Sequence, residues 1–104
     1  EIEDKYLELA TLINIGNLWD NKSDFQKSLG YYEQSLSLCQ EVGDKRLEAS
    51  IFYNMGISYA YQNDIDKTIE YFEIAIKTTY PHDPNILQWE AELEMIKDAR
   101  DNSI

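Results

Sequence analysis

Histidine and cysteine each occur once, proline twice and glycine four times in the 104 residues. So little turn-forming material disfavours an all-β fold, which must reverse direction every few residues. The lone Cys39 excludes an internal disulfide and is in keeping with a reducing compartment, so a cytoplasmic location is expected. The lone His82 lies in a turn beside two prolines and far along the chain from Cys39, which leaves no Ser–His–Asp or Cys–His arrangement to assemble. Carboxylates are spread rather than gathered at metal-ligand spacing, and the glycines stand singly rather than in a phosphate loop. No catalytic residue, metal site or cofactor is therefore expected. There is no signal-peptide pattern, and no apolar run approaches the roughly 18 residues of a membrane span. Positive charge is also scarce, 9 basic residues against 20 acidic for a net charge of −11. Such a field repels nucleic acid and anionic membrane at long range and attracts basic partners.

Apolar and aromatic residues, at 43% and 12%, are sufficient for a core. Their arrangement repeats. Residues 1–40 laid without gaps on 41–80 give eleven identities, among them Asp4/Asp44, Leu7/Leu47, Asn14/Asn54, Gly16/Gly56, Asp24/Asp64 and Tyr31/Tyr71. That is several times what composition alone supplies, and apolar character persists at Leu12/Phe52, Ile15/Met55, Trp19/Tyr59 and Tyr32/Phe72. Internal repetition at this period is the signature of a solenoid.

Within each unit the apolar spacing is helical. Leu12, Ile15 and Trp19 lie on one face of a first helix, and Phe52, Met55 and Tyr59 repeat them. Asn21-Lys22-Ser23-Asp24 then breaks the pattern, and Asp24 is positioned to cap a second helix whose inner face carries Phe25, Leu29, Tyr32 and Leu36. In the second unit Asp64 precedes Ile65, Ile69, Phe72 and Ile76, while Gly43 and Asp44 form the helix stop and cap between units. Gly16 and Gly56 sit inside helices, where glycine costs roughly 1 kcal/mol relative to alanine. Close approach of a neighbouring helix is the expected reason. After Asp83-Pro84 comes one more helix with a stripe of Ile86, Trp89, Leu93 and Ile96 and a charged outer face; Leu87 falls in register with Leu7 and Leu47, and Asp101–Ile104 are expected to fray. The fold class is all-α: a helical solenoid of two antiparallel helix pairs plus a C-terminal capping helix. One domain is expected over 1–104, with repeat one at 1–40, repeat two at 41–80 and the cap at 83–100. Because the chain starts at Glu1 in mid-pattern, it is expected to be a piece of a longer protein.

These residues resemble the tetratricopeptide repeat. Counted from Leu9, the first unit offers Leu12, Ile15, Gly16, Trp19, Ser28, Tyr32 and Ser35 at the motif's seven positions. Counted from Ala49, the second offers Phe52, Met55, Gly56, Tyr59, Thr68, Phe72 and Ala75, of which Thr68 departs most from the usual alanine. The forty-residue period is similar to the long-helix variety found in G-protein regulators of spindle orientation, kinesin light chains and bacterial peptide-sensing regulators.

The resemblance implies a concave groove lined by the first helix of each pair. The matching positions are Ala10, Ile13, Asn14, Asn17, Asp20 and Asn21, then Ser50, Tyr53, Asn54, Ile57, Ala60 and Tyr61. From these, Ile13, Asn14, Asn17, Asn21, Tyr53, Asn54, Ile57 and Tyr61 are the candidate peptide-binding residues. An Asn amide both donates and accepts, so it pairs with a peptide group without reading its side chain. Tyrosine is enriched at interfaces. The chaperone-tail subtype is excluded, because its clamp positions hold Ile13, Asn17, Asn54, Glu90 and Glu94 here and lack the cations. The resemblance thus implies an adaptor or scaffold that takes a peptide or helix of a partner protein, with a basic one favoured by the charge. Rival readings are a peptide-sensing regulatory domain and a homo-oligomer formed through exposed solenoid ends.

Overall fold

Three aspartates start helices. The side chains of Asp24, Asp44 and Asp64 accept the backbone N–H three residues on, from Lys27, Leu47 and Lys67, at 3.2, 3.0 and 3.1 Å. Each supplies an acceptor to an otherwise unpaired amide of the first turn. The computed structural model describes residues 1–103 and contains five helices among them: α1 (Ile2–Asn21), α2 (Phe25–Val42), α3 (Lys45–Tyr61), α4 (Ile65–Thr78) and α5 (Asn85–Asn102). Gly43 ends α2 in the left-handed region at φ 83°, where glycine alone is free of strain. The turns inside the two pairs match, with Ser23 and Asn63 both left-handed at φ 62° and 61°. The fifth helix runs on to Asn102, so Asp101 and Asn102 are helical where fraying was expected; Ile104 lies outside the described residues. No helix among the described residues is long and apolar enough to cross a membrane.

Gly16 and Gly56, the glycines of the two first helices, have equivalent neighbours. A Cβ built on Gly16 would lie 2.7 Å from the Tyr32 ring, and one on Gly56 would lie 2.6 Å from the Phe72 ring. The close approach therefore comes from an aromatic ring of the second helix packed against the first, and both rings are almost wholly buried. Thr68 also fits despite its branch, because its hydroxyl donates to the Asp64 carbonyl at 2.9 Å.

Stacking joins the pairs. Leu9, Tyr32, Cys39, Ile51 and Met55 form one core from α1, α2 and α3, with Leu29, Leu36, Leu47 and Phe52 against it. Two further clusters, Ala49–Ala75–Trp89 and Ile69–Phe72–Leu93, seat α5 on the second pair. The expected stripe of α5 is the packed one, with Trp89 and Leu93 buried and Ile86 and Ile96 half-buried. Register with the earlier units fails at that helix. Leu47, Ile51 and Met55 pack into the first core, but Leu87 and Met95, forty residues on, are 78% and 71% exposed. The cap is thus turned about its own axis to present Trp89 instead. Ile65 is exposed as well, whereas its counterpart Phe25 is stacked under Tyr61 with ring centroids 6.3 Å apart. Residue 101, which corresponds to Tyr61, is an aspartate and supplies no such cover.

Candidate interaction cleft

Between the C-terminal halves of α1 and α3 lies a cleft of about 200 Å³ lined by Asn17, Asp20, Asn21, Tyr32, Asn54, Ile57 and Tyr61. Five of the eight candidate residues meet there: Asn17, Asn21, Asn54, Ile57 and Tyr61. The volume is below the roughly 300–1,000 Å³ of a drug-sized pocket and suits one or two side chains of a larger ligand. The Asn54 amide engages no protein partner among the described residues, so its donor and acceptor stay available. Tyr61 is 58% exposed and forms a wall shared with a neighbouring hollow lined by Asp20, Asn21, Ser23 and Phe25.

The other three candidates lie elsewhere. Ile13 is half-buried against the first core, and Asn14 is exposed on the open face of α1. Tyr53 is held in a seam. Its ring stacks between Phe72 and Trp89 at centroid distances of 4.8 and 5.1 Å, and its hydroxyl donates to Glu92 Oε2 at 2.6 Å. Burial, and then the bond to the Glu92 carboxylate, push the Tyr53 phenol well above its ordinary pKa.

Asp20 sits at a groove position in the sequence pattern, yet only 8% of it is exposed. Its Oδ1 accepts from the Ser58 hydroxyl of α3 at 2.8 Å. Its Oδ2 lies 3.1 Å from the Tyr32 hydroxyl, which also reaches Asn17 Oδ1. Burial first and the Asp20 charge second drive the Tyr32 phenol far above its usual range. The second unit has none of this chemistry: Tyr32, Asn17 and Asp20 correspond to Phe72, Ile57 and Ala60. Three matched departures between the repeats were the available signal for Asp20 and Tyr32 as cleft residues.

Stacked helix pairs with an aromatic ring packed against each first-helix glycine define a helical-repeat protein. The tetratricopeptide repeat family matches the chain over residues 7–78, and the chain belongs to it. No curated protein matches the chain. Repeats of this family mediate protein–protein interaction, and they do so as non-enzymatic modules.

Proposed function

We propose that the chain captures a peptide or helix of a partner protein in the cleft between α1 and α3, reversibly and with no bond made or broken. The observation that carries this reading is the convergence of Asn17, Asn21, Asn54, Ile57 and Tyr61 on one opening. Amides there offer backbone pairing, while Ile57 and Tyr61 offer apolar anchoring. The net charge of −11 favours a basic ligand, and a cytoplasmic adaptor or scaffold is the role such a cleft would serve. Tyr53 is a poor probe of this reading, since removing it would also unseat α5. The test is partner capture by wild type beside an Asn54→Ala, Tyr61→Ala variant of matching helical circular dichroism. Partners bound by wild type and lost by the variant support the cleft; partners retained equally by both sink it.

One observation favours a second reading, self-association. Leu7 and Leu18 are 69% and 50% exposed on α1, and Leu7 occupies the register at which Leu47 packs into the core. Acidic side chains flank that face (Glu3, Asp4 and Glu8), so copies would repel each other at low salt. Sedimentation at rising concentration and in high salt separates the two: a mass fixed under both conditions removes the second reading.

A further inference from the structure

The Asp20 carboxylate is buried, lines an open cleft and has only neutral donors, Tyr32 and Ser58, as partners among the described residues. Burying a charge without an opposite one is costly, so a need for it is sought. Packing is not that need. At the equivalent place in the second pair, Phe72, Ile57 and Ala60 solve the same problem with no polar atom, under the same ring-over-glycine geometry. Around the carboxylate stand Asn17, whose amide oxygen already takes the Tyr32 hydroxyl, and Asn21 and Asn54, with Ile57 and the exposed Tyr61 ring beside them. That is an arrangement of acceptors around one anion with an apolar flank.

We infer that the cleft between α1 and α3 binds a cationic side chain of the ligand, an arginine, whose guanidinium pairs with Asp20 while its stem lies along Ile57 and Tyr61. This rests on the peptide-capture reading above and assigns the ligand residue that would enter the cleft. A planar guanidinium carries five donors in a fixed fork, which suits a carboxylate flanked by amide oxygens. The Tyr61 ring adds a face on which a cation is attracted. The cleft's 200 Å³ is enough for such a side chain and too little for a folded element.

The test uses N-acetylarginine amide, with N-acetylcitrulline amide as its neutral counterpart, followed by NMR through the side-chain amides of Asn17, Asn21 and Asn54. Saturable shifts with the arginine compound, at least about tenfold weaker with the citrulline compound, are expected. The Asp20→Asn variant should lose that discrimination. Because Asp20 also bridges α1 to α3, a second variant keeps the test sound if Asp20→Asn misfolds. Asn17→Ile, Asp20→Ala, Tyr32→Phe installs the set of side chains with which the second pair already folds, and it too should show no preference for arginine. Equal shifts by both compounds, shifts that survive in the triple variant, or no shifts at all overturn the assignment. A partner still captured through Asn54 and Tyr61 in any of those cases would leave peptide capture standing and remove only the arginine.

Discussion

Two seams hold this solenoid together, each with an apolar core and each closed by different polar chemistry. Between the pairs, Asp20 of α1 receives Ser58 of α3 and Tyr32 of α2, and the seam stays open as a cleft. Between the second pair and the cap, Phe72, Tyr53 and Trp89 stack in a row, and Glu92 closes the end. The aromatic seam has a hollow of about 230 Å³ beside it, lined by Glu73, Ile76, Lys77, Glu90, Leu93 and Glu94, whereas the first seam opens on the cleft that holds Asp20. The polar seam gains little net stability per hydrogen bond, roughly 0.5–1.5 kcal/mol, because water offers the same groups partners when the chain unfolds. Between the pairs the polar cluster stands beside an apolar core of Leu9, Tyr32, Cys39, Ile51 and Met55, so the seams differ in the Asp20 cluster that only the first carries.

Removing Trp89 should have the largest effect. Trp89→Ala deletes a residue that is 4% exposed and strips one face from Tyr53, at a cost of about 3–5 kcal/mol. Helical circular dichroism should fall as α5 leaves the second pair, and a thermal midpoint within a degree of wild type would contradict the weight given to this seam. Next come the glycines. Gly16→Leu and Gly56→Leu each drive a side chain into a buried ring and should cost about 1–3 kcal/mol by overpacking. Denaturant midpoints measure both, and an unchanged midpoint for either variant denies the ring-over-glycine contact its role. A smaller effect separates the seams at the level of single bonds. Tyr53→Phe removes only the hydroxyl bonded to Glu92, and Ser58→Ala only the one bonded to Asp20, each worth about 1 kcal/mol. Double-mutant cycles with Glu92→Gln and Asp20→Asn should show coupling inside each seam and none across them.

Repetition made the fold legible: the forty-residue period, the three capping aspartates and the paired glycines each follow from residue type and spacing. The packed stripe of α5 was legible as Ile86, Trp89, Leu93 and Ile96, but the exposure of Leu87 despite its register with Leu47 was not, since the helix carries apolar residues on two sides, Trp89–Leu93–Ile96 and Leu87–Ala91–Met95. Which side packs depends on what the second pair offers, and the Tyr53 ring, stacked on Phe72, offers its other face to the tryptophan. The same event decides the candidate residues. Tyr53 and Ile13 occupy one motif position, yet each turns toward the helix that follows, because a groove position at the edge of a first helix is shared with the next seam. Asn17, Asn54 and Tyr61 are farther from that edge and face the opening. Reading Asp20 required comparing the units as a set, Tyr32 with Phe72 and Asn17 with Ile57, where single positions looked unremarkable.

The corners where one unit passes to the next offer the finest comparison. Cys39 and Thr79 occupy the same register, both buried at the end of a second helix. At the first corner the Cys39 thiol donates to the Asp44 carbonyl oxygen at 3.2 Å, and burial, with Asp44 and Glu48 adding to it, pushes the thiol up to about 11. At the second corner the Thr79 hydroxyl donates to the Asp83 carboxylate, which also accepts the Asn85 amide, and these bonds hold Asp83 below its ordinary 3.8. A carboxyl whose pKa is lowered by folding stabilises the fold above its unfolded value and loses that contribution as pH falls through the folded one. The second corner should therefore weaken as acid is added below about pH 4, while the first, whose thiol stays protonated throughout, is unaffected at that site. Thr79→Val removes the principal cause of the shift, so the part of acid sensitivity due to Asp83 should shrink in that variant and persist in Cys39→Ser. Thermal midpoints followed from pH 6 to pH 3 would read the difference, and parallel curves for wild type and Thr79→Val would show that the hydroxyl bond does not set the Asp83 titration.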